Sequence, residues 1–291
     1  MNRSETVRPV RESLEEYGRG VAGGLLFSLP LLYTMEVWWA GFLIEPATLL
    51  LYMGMTFLLL LGYNRFAGMR KDASFVEVIF DSIEEMGIGL IVAALVLYLL
   101  GRITAEMPPS EVLGKIIVEA MTVAIGVSVG TSQLGGPGIS DTGTAGSEGP
   151  GGPGRNEAPT QPDTWAQLVL GFCGAVLFAA NVAPTEEILV IGIETPPWKL
   201  IGLLFLSLLV GAVILFYSAF YGAEKNVHRN GALWMAFSLV SSYSSALAAS
   251  ALILWFFQRL DGVSPAVALS QIVVLAFPAM LGASAGRLLI Q

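Results

Sequence analysis

Charged side chains are scarce in this sequence. Asp, Glu, Lys and Arg make up 13% of the 291 residues, whereas hydrophobic residues make up 54% and the mean hydropathy is +0.69. Water-soluble domains carry about 25% charged residues. The composition therefore excludes an ordinary soluble globular protein.

Cysteine and histidine are almost absent, with one residue of each. Cys173 alone cannot form a disulfide framework or a thiolate metal cluster within the chain. His228 lies in a short basic loop, away from any apolar run that could hold a Ser–His pair. No phosphate loop, dinucleotide fingerprint or nucleic-acid-binding motif is present. We therefore expect no cofactor and no nucleic-acid partner, and a membrane-embedded enzyme ranks only third among the hypotheses below.

Long apolar runs dominate the sequence instead. A helix of about 18 residues or more can cross a hydrocarbon core of about 30 Å. Backbone polar groups in lipid need partners within the chain, so such runs predict helices. The predicted fold is all-α, a polytopic membrane protein of about eight transmembrane helices: Gly20–Phe42, Pro46–Tyr63, Ser82–Arg102, Ser110–Thr131, Trp165–Pro184, Trp198–Tyr221, Gly231–Phe257 and Pro265–Leu288.

The basic residues are unevenly distributed between the predicted loops. With eight spans, both termini lie on the same side, and most Lys and Arg residues lie there with them. Only Arg102, Lys115, Lys199 and Arg259 fall on the other side. By the positive-inside rule, this bias predicts a multi-pass protein of the cell membrane with both termini in the cytoplasm.

The sequence repeats itself in three blocks. Gly23–Pro46 aligns with Gly174–Pro197, Ala94–Ile103 with Ala251–Leu260, and Pro108–Gly130 with Ser264–Gly286. About a third of the aligned positions are identical, where composition alone gives roughly one in ten. Such self-similarity indicates one structural unit used twice.

The repeat defines the predicted domain organisation. Residues 20–131 and 164–291 form two parallel four-helix repeats, and residues 1–19 form a cytoplasmic N-terminal segment. Residues 132–163 are rich in Gly and Pro and poor in large apolar side chains, so we expect a disordered linker there.

Acidic residues inside apolar runs give the main candidate site. Glu36 and Glu187 occupy aligned positions, and each follows a threonine by two residues, Thr34 and Thr185. An ionisable group in a span faces protein or water and needs a partner. If the first helices of the two repeats face each other, these side chains form an oxygen site suited to a cation or protons. Further candidates for such a site are Glu186, Glu119 and Asn181.

Structural roles for the same residues stay open. Arg102 and Arg259 are also aligned and could form buried ion pairs with Glu36 and Glu187, or bind an anionic substrate. Lys115 lies one turn from Glu119 and could neutralise it. The two leading hypotheses are accordingly a small-solute transporter or channel for a cation or protons, and a non-transporting membrane scaffold or subunit. Besides the lipid bilayer, the sequence leaves a homo-oligomer open.

Two resemblances complete the sequence reading. Glu186-Glu187 is similar to the paired-glutamate motif of CPBP-type intramembrane proteases, but the arginine and intramembrane histidines of that family are missing. Arg19–Trp39 (RGVAGGLLFSLPLLYTMEVWW) and Asn181–Ile188 (NVAPTEEI) resemble a bacterial family of integral membrane proteins of unknown function. This second resemblance implies a membrane fold and brings no activity or site residues.

Overall fold

Ten helices account for the regular secondary structure of the described residues. The structure is a computed structural model, and it describes residues 10–68, 74–133, 164–222 and 232–288. The predicted linker 132–163 lies almost wholly outside these ranges, as do residues 1–9 of the predicted N-terminal segment. The helices are α1 (Val10–Leu32), α2 (Met35–Leu43), α3 (Pro46–Ala67), α4 (Phe75–Leu99), α5 (Pro109–Gln133), α6 (Thr164–Ala180), α7 (Glu186–Glu194), α8 (Pro197–Gly222), α9 (Ala232–Phe256) and α10 (Pro265–Leu288).

The number of helices able to cross a membrane is smaller than the eight predicted. Within the described residues, six helices are long and apolar enough, and α1 with α2 makes a seventh span if the pair is counted as one. However, α2 is bent from α1 by 87°, and α6 has only 17 residues. The all-helical membrane fold is confirmed. The count of eight spans is not confirmed, because the helices of the first and fifth runs both break near one end.

The breaks occur at aligned positions. Thr34 separates α1 from α2 with an extended backbone, at φ −94° and ψ 117°. Thr185 precedes α7 with φ −73° and ψ 149°. Pro30 and Pro184 lie beside these breaks, where the missing proline N–H weakens the helix. Both following helices, α2 and α7, have nine residues.

Helix starts follow local sequence signals. Proline opens α3, α5, α8 and α10, at the first helical position, where a backbone N–H would have no partner within the helix. Ser74 and Glu77 form a capping box in front of α4. Because this box starts α4 at Phe75 and not at Ser82, Glu84 and Glu85 lie well inside the helix and not in its first turn.

Glycines set the closest helix crossings. A Cβ on Gly23 of α1 would lie 2.6 Å from the carbonyl oxygen of Gly126 and 2.9 Å from the backbone nitrogen of Gly130, both on α5. In the second half, a Cβ on Gly174 of α6 would overlap the carbonyl of Gly282 on α10. Small residues allow such backbone approach between membrane helices. As a result, α5 and α10 are the central helices of their halves, and each packs against every other helix of its half.

α4 and α9 end in the same type of hydrogen-bonded turn. Gly101 and Gln258 both have positive φ, at 67° and 57°. The next residue in each case, Arg102 or Arg259, donates its backbone N–H to the carbonyl five residues earlier, on Leu97 or Leu254. This is a left-handed helix ending, which glycine adopts without strain and glutamine rarely does.

Contacts between the two halves are not symmetric. α3 packs against α6, and the rings of Tyr52 on α3 and Phe256 on α9 stack with centroids 3.6 Å apart. α8, which follows α7 as α3 follows α2, makes its main contacts with α9 and α10 of its own half. The halves therefore do not meet through equivalent helix faces.

Candidate functional site

The duplicated Thr-x-Glu residues begin the two short helices. Thr34 and Thr185 are the N-cap residues of α2 and α7, and Glu36 and Glu187 lie in the first turns. The threonine hydroxyls donate to carbonyls of the preceding turn, on Pro30 at 2.6 Å and on Val182 at 2.9 Å. Carboxylates in a first turn complement the positive end of the helix dipole. A structural reason therefore exists for the strongest duplicated signal in the sequence.

The structure does not bring Glu36 and Glu187 into one buried pocket. Glu36 is half-buried, and Glu187 and Glu186 are exposed. α2 packs on α5 and α7 packs on α10, each within its own half.

No salt bridge joins Glu36 to Arg102 or Glu187 to Arg259 in the part of the chain that the structure describes. The guanidinium of Arg102 lies 4.6 Å from the ring centroid of Trp38. Arg259 donates instead to the backbone carbonyl of Pro184. Both arginines thus contact the helix break of their own half without a carboxylate. Arg102 contacts the Trp38 ring, and Arg259 contacts the carbonyl of Pro184.

Asn181 also stabilises a break. Its Nδ2 donates to the carbonyl of Leu177 at 2.7 Å and to that of Phe27 at 3.0 Å, which links α6 to α1. Its Oδ1 is buried and has no hydrogen-bond partner.

Lys115 pairs with a residue other than Glu119. Its Nζ lies 2.6 Å from Oε1 of Glu111 and donates to the carbonyl of Arg102 at 3.3 Å. This ammonium therefore has a carboxylate partner towards the start of α5, away from Glu119.

Glu119 is a buried carboxyl group without a hydrogen bond. Its side chain is 0% exposed, and neither Oε1 nor Oε2 has a partner. Val118 and Met121, its neighbours on α5, belong to the same buried cluster as Tyr52 of α3. Ten residues separate it from Pro109, the start of α5, which corresponds to a depth of about 15 Å along the helix. Gln271 on α10 is also fully buried without side-chain partners, but Glu119 is the fully buried acid of the described residues that lacks them.

Asn64 organises a second buried polar group, which sequence reasoning missed. Its Nδ2 donates to Oε2 of Glu85 at 2.7 Å and to Oγ of Ser82 at 3.0 Å, and its Oδ1 accepts from Ser128 at 2.9 Å. Thr131 completes the Asn64 network through Oε1 of Glu85 at 3.5 Å. The signal was a lone amide in the otherwise apolar run of α3, although its partners on α4 and α5 are far away in sequence.

A cavity of about 30 Å³ opens beside the Asn64 network. Besides Asn64, Glu85 and Thr131, it is lined by Glu16, Tyr17, Asp81, Glu84 and Ile88. Among the described residues, no group of three His, Cys, Asp or Glu side chains is arranged to hold a metal ion. Because four carboxyl groups line it, the cavity is acidic. Its volume is large enough for water.

The second half has a buried arginine where the first has an acidic network. Arg287 aligns with Thr131 and is 5% exposed. It donates to Oγ of Ser238 at 2.6 Å, to Oγ of Ser241 at 2.8 Å and to the carbonyl of Gln167 at 3.3 Å. These bonds tie α10 to α9 and α6.

Comparison with known proteins gives one match. Residues 16–290 match the family described as "Putative integral membrane protein (DUF2391)". No curated protein and no solved structure matches the chain.

Proposed function

Since the chain belongs to this family of integral membrane proteins, we propose that it conducts protons across the membrane and that Glu119 holds the proton inside the bilayer. The proposal narrows the cation-or-proton hypothesis to protons. It also makes Glu119, instead of the pair Glu36 and Glu187, the main site residue.

The state of Glu119 is the observation that carries the proposal. Burying an ionised carboxylate without a partner costs far more than burying the neutral acid. The side chain is 0% exposed and both oxygens lack partners, so the protonated form is favoured at rest. A metal ion requires several oxygen ligands, whereas a proton requires one carboxyl group. Ionisable residues at such depth are typical of proton relays.

We also propose that the two halves are copies of one unit. In support, α2 and α7 have the same length, and the helix endings at Gly101 and Gln258 have the same hydrogen bonds. The glycine crossings of α1 with α5 and of α6 with α10 also correspond. Glu119 aligns with Leu275, so only the first copy has the buried acid.

The test is proton flux into proteoliposomes that contain the purified full-length protein. A potassium diffusion potential drives protons inwards, and a pH-sensitive dye inside reports their entry. We expect flux above that of empty liposomes and loss of this flux in Glu119→Leu, which introduces the residue of the second half. Glu106→Gln is the matched control, because Glu106 is exposed in the α4–α5 loop.

Two results would overturn the proposal. One is wild-type flux equal to that of empty liposomes. The other is unchanged flux in Glu119→Leu, which would remove Glu119 from the pathway. Potassium or sodium flux through the same proteoliposomes, if equal to the proton flux, would replace the proton-specific pathway by a general cation pathway.

A scaffold without transport is the second candidate, and the contacts of the aligned charges favour it. Arg102, Arg259, Glu36 and Glu187 all lie at helix breaks or helix ends. Under either candidate, Glu36→Gln with Glu187→Gln lowers stability only modestly, since a charge at a helix end contributes about 0.3–1 kcal/mol. Abolished flux in this folded double variant would return the site to Glu36 and Glu187.

A further inference from the structure

We propose that the buried face of α3 is the route by which protons pass between Glu119 and the acidic cavity beside Glu85. This inference rests on the proposed role of Glu119 and adds the residues of the path. It assigns roles to Tyr52, Thr56 and Asn64, which we call the α3 polar row.

The α3 polar row faces the interior of the protein, where polar side chains of membrane helices usually mark polar pathways. The buried residues of α3 are Leu49, Tyr52, Thr56, Leu60, Tyr63 and Asn64, so most of them are polar. Residues four apart are neighbours on a helix surface, so Tyr52, Thr56, Leu60 and Asn64 form one line, which winds about 120° around the helix between its ends. The outward face is apolar, with Leu50, Leu51 and Leu58 at least half exposed. Polar groups are thus directed into the protein.

The line joins the two buried acids of the first half. At one end, Thr56 lines one small cavity with Ala120 and Met121, the residues that follow Glu119 on α5. At the other end, Asn64 donates to Glu85 at 2.7 Å. Twelve residues of helix separate Tyr52 from Asn64, which is about 18 Å. A path from mid-depth to one end of the bundle has this length.

The charged groups at each end suit proton entry. The cavity at Glu85 is also lined by Glu16, Tyr17, Asp81 and Glu84, and a cleft lined by negative charge raises the local concentration of cations. Near Glu119, Tyr52 is the titratable neighbour on α3. Lys115, one turn away on α5, binds Glu111.

Leu60 is the gap in the line. Between Thr56 and Asn64 no polar side chain of α3 faces inwards except Tyr63, whose hydroxyl binds Ser132 at 2.8 Å. Beside Thr56 is a small cavity of about 10 Å³, with Met53, Met86 and Ala120 in its wall. Such a volume is close to the minimum for one water molecule, but Thr56 is the one polar residue in the wall, so the cavity offers a water too few hydrogen-bond partners. Proton passage is therefore slowest at this point.

The test measures the exchange of the Glu119 carboxyl proton in D2O by infrared spectroscopy on the reconstituted full-length protein. The Glu119 band is identified as the carboxylic-acid signal that Glu119→Leu removes. Thr56→Val deletes the hydroxyl and keeps the shape of the side chain, so folding is preserved. Its matched control is Thr122→Val, because the buried Thr122 hydroxyl donates to the Glu119 backbone carbonyl within α5.

We expect exchange to be about tenfold slower in Thr56→Val, the factor that corresponds to one hydrogen bond, and unchanged in Thr122→Val. Asn64→Leu should slow it as well. Leu60→Ser, which fills the gap with a hydroxyl, should accelerate it, a gain that a purely structural role of α3 does not produce. Equal exchange rates in wild type, Thr56→Val and Leu60→Ser would overturn the route.

This readout separates the route from the function. Proton flux that requires Glu119 together with exchange insensitive to α3 would refute the route alone. Exchange that depends on Thr56 and Leu60 in a protein without net flux would support the route and refute the proposed function.

Discussion

Lys115 and Glu119 lie one turn apart on α5, yet only Lys115 has a charged partner. The ammonium binds Glu111, whereas both oxygens of Glu119 lack hydrogen bonds. Their spacing allowed a mutual ion pair. The Lys115 ammonium instead binds Glu111 and the backbone carbonyl of Arg102, both away from Glu119.

The first prediction at the residue scale concerns the stability of Glu119→Leu. Removing a buried polar group that has no partner recovers about 1–3 kcal/mol, and leucine is the aligned residue of the second half. We expect a higher Tm in detergent by scanning fluorimetry, together with loss of proton flux. A lower Tm would show that Glu119 stabilises the fold and would favour the scaffold.

The second prediction concerns Arg287, which holds three helices together. Its hydrogen bonds reach Ser238, Ser241 and Gln167 in different directions, and a lysine ammonium cannot reproduce this planar fork. We expect Arg287→Lys to lower the free energy of unfolding by about 1–3 kcal/mol, measured by thermal or denaturant unfolding in detergent. A change below this range would mean that charge alone suffices. Lys199→Arg, on the exposed start of α8, is the control.

At the scale of elements, close helix crossings depend on glycine. Gly23 on α1 faces Gly126 and Gly130 on α5 without room for a side chain, whereas Gly54 on α3 has open space around it. The two positions are both helical glycines, but they differ in what a methyl group would meet.

We therefore predict opposite effects for Gly23→Ala and Gly54→Ala. The first forces α1 away from α5 and should cost about 1–3 kcal/mol through overpacking. The second should be neutral or stabilising by up to about 1 kcal/mol, because alanine favours helix over glycine. Unfolding of both variants in the same detergent checks this. Equal losses would contradict the crossing.

At the scale of the whole molecule, the contacts between the two halves are asymmetric. Among the described residues, α3 contacts α6, whereas α8 makes its main contacts with α9 and α10. A shared pocket on a symmetry axis, as expected from the sequence, would need equivalent faces on both sides. Glu119 and the Asn64 network instead lie among α3, α4 and α5, all in the first half.

The orientation of the halves gives the fourth prediction. If they are parallel copies, the α4–α5 and α9–α10 loops lie on the same side of the membrane. In a Cys173→Ala background, Glu106→Cys and Asp261→Cys should both react with an impermeant maleimide from outside intact cells. Both positions are exposed. Labelling of only one of them would mean that the halves are inverted.

The sequence by itself determined the membrane class of this protein and many of its helix ends. Scarcity of charge and repeated apolar runs imply a helical membrane protein, because lipid leaves the backbone no other partners. Proline starts, the capping box at Ser74 and the glycines of α1, α5, α6 and α10 fix helix ends and crossings locally.

Only the tertiary structure decided which acids are buried and what they bind. Thr34 and Glu36 carry the clearest duplicated signal, yet they serve the start of a short helix at a bend of 87°. Asn64 meets Glu85 and Ser128 from helices that the sequence does not place side by side. Spacing along a chain defines which face a residue shares, whereas hydrogen bonds and burial depend on what packs against that face. For this reason, the isolation of Glu119 could be recognised only in the folded chain.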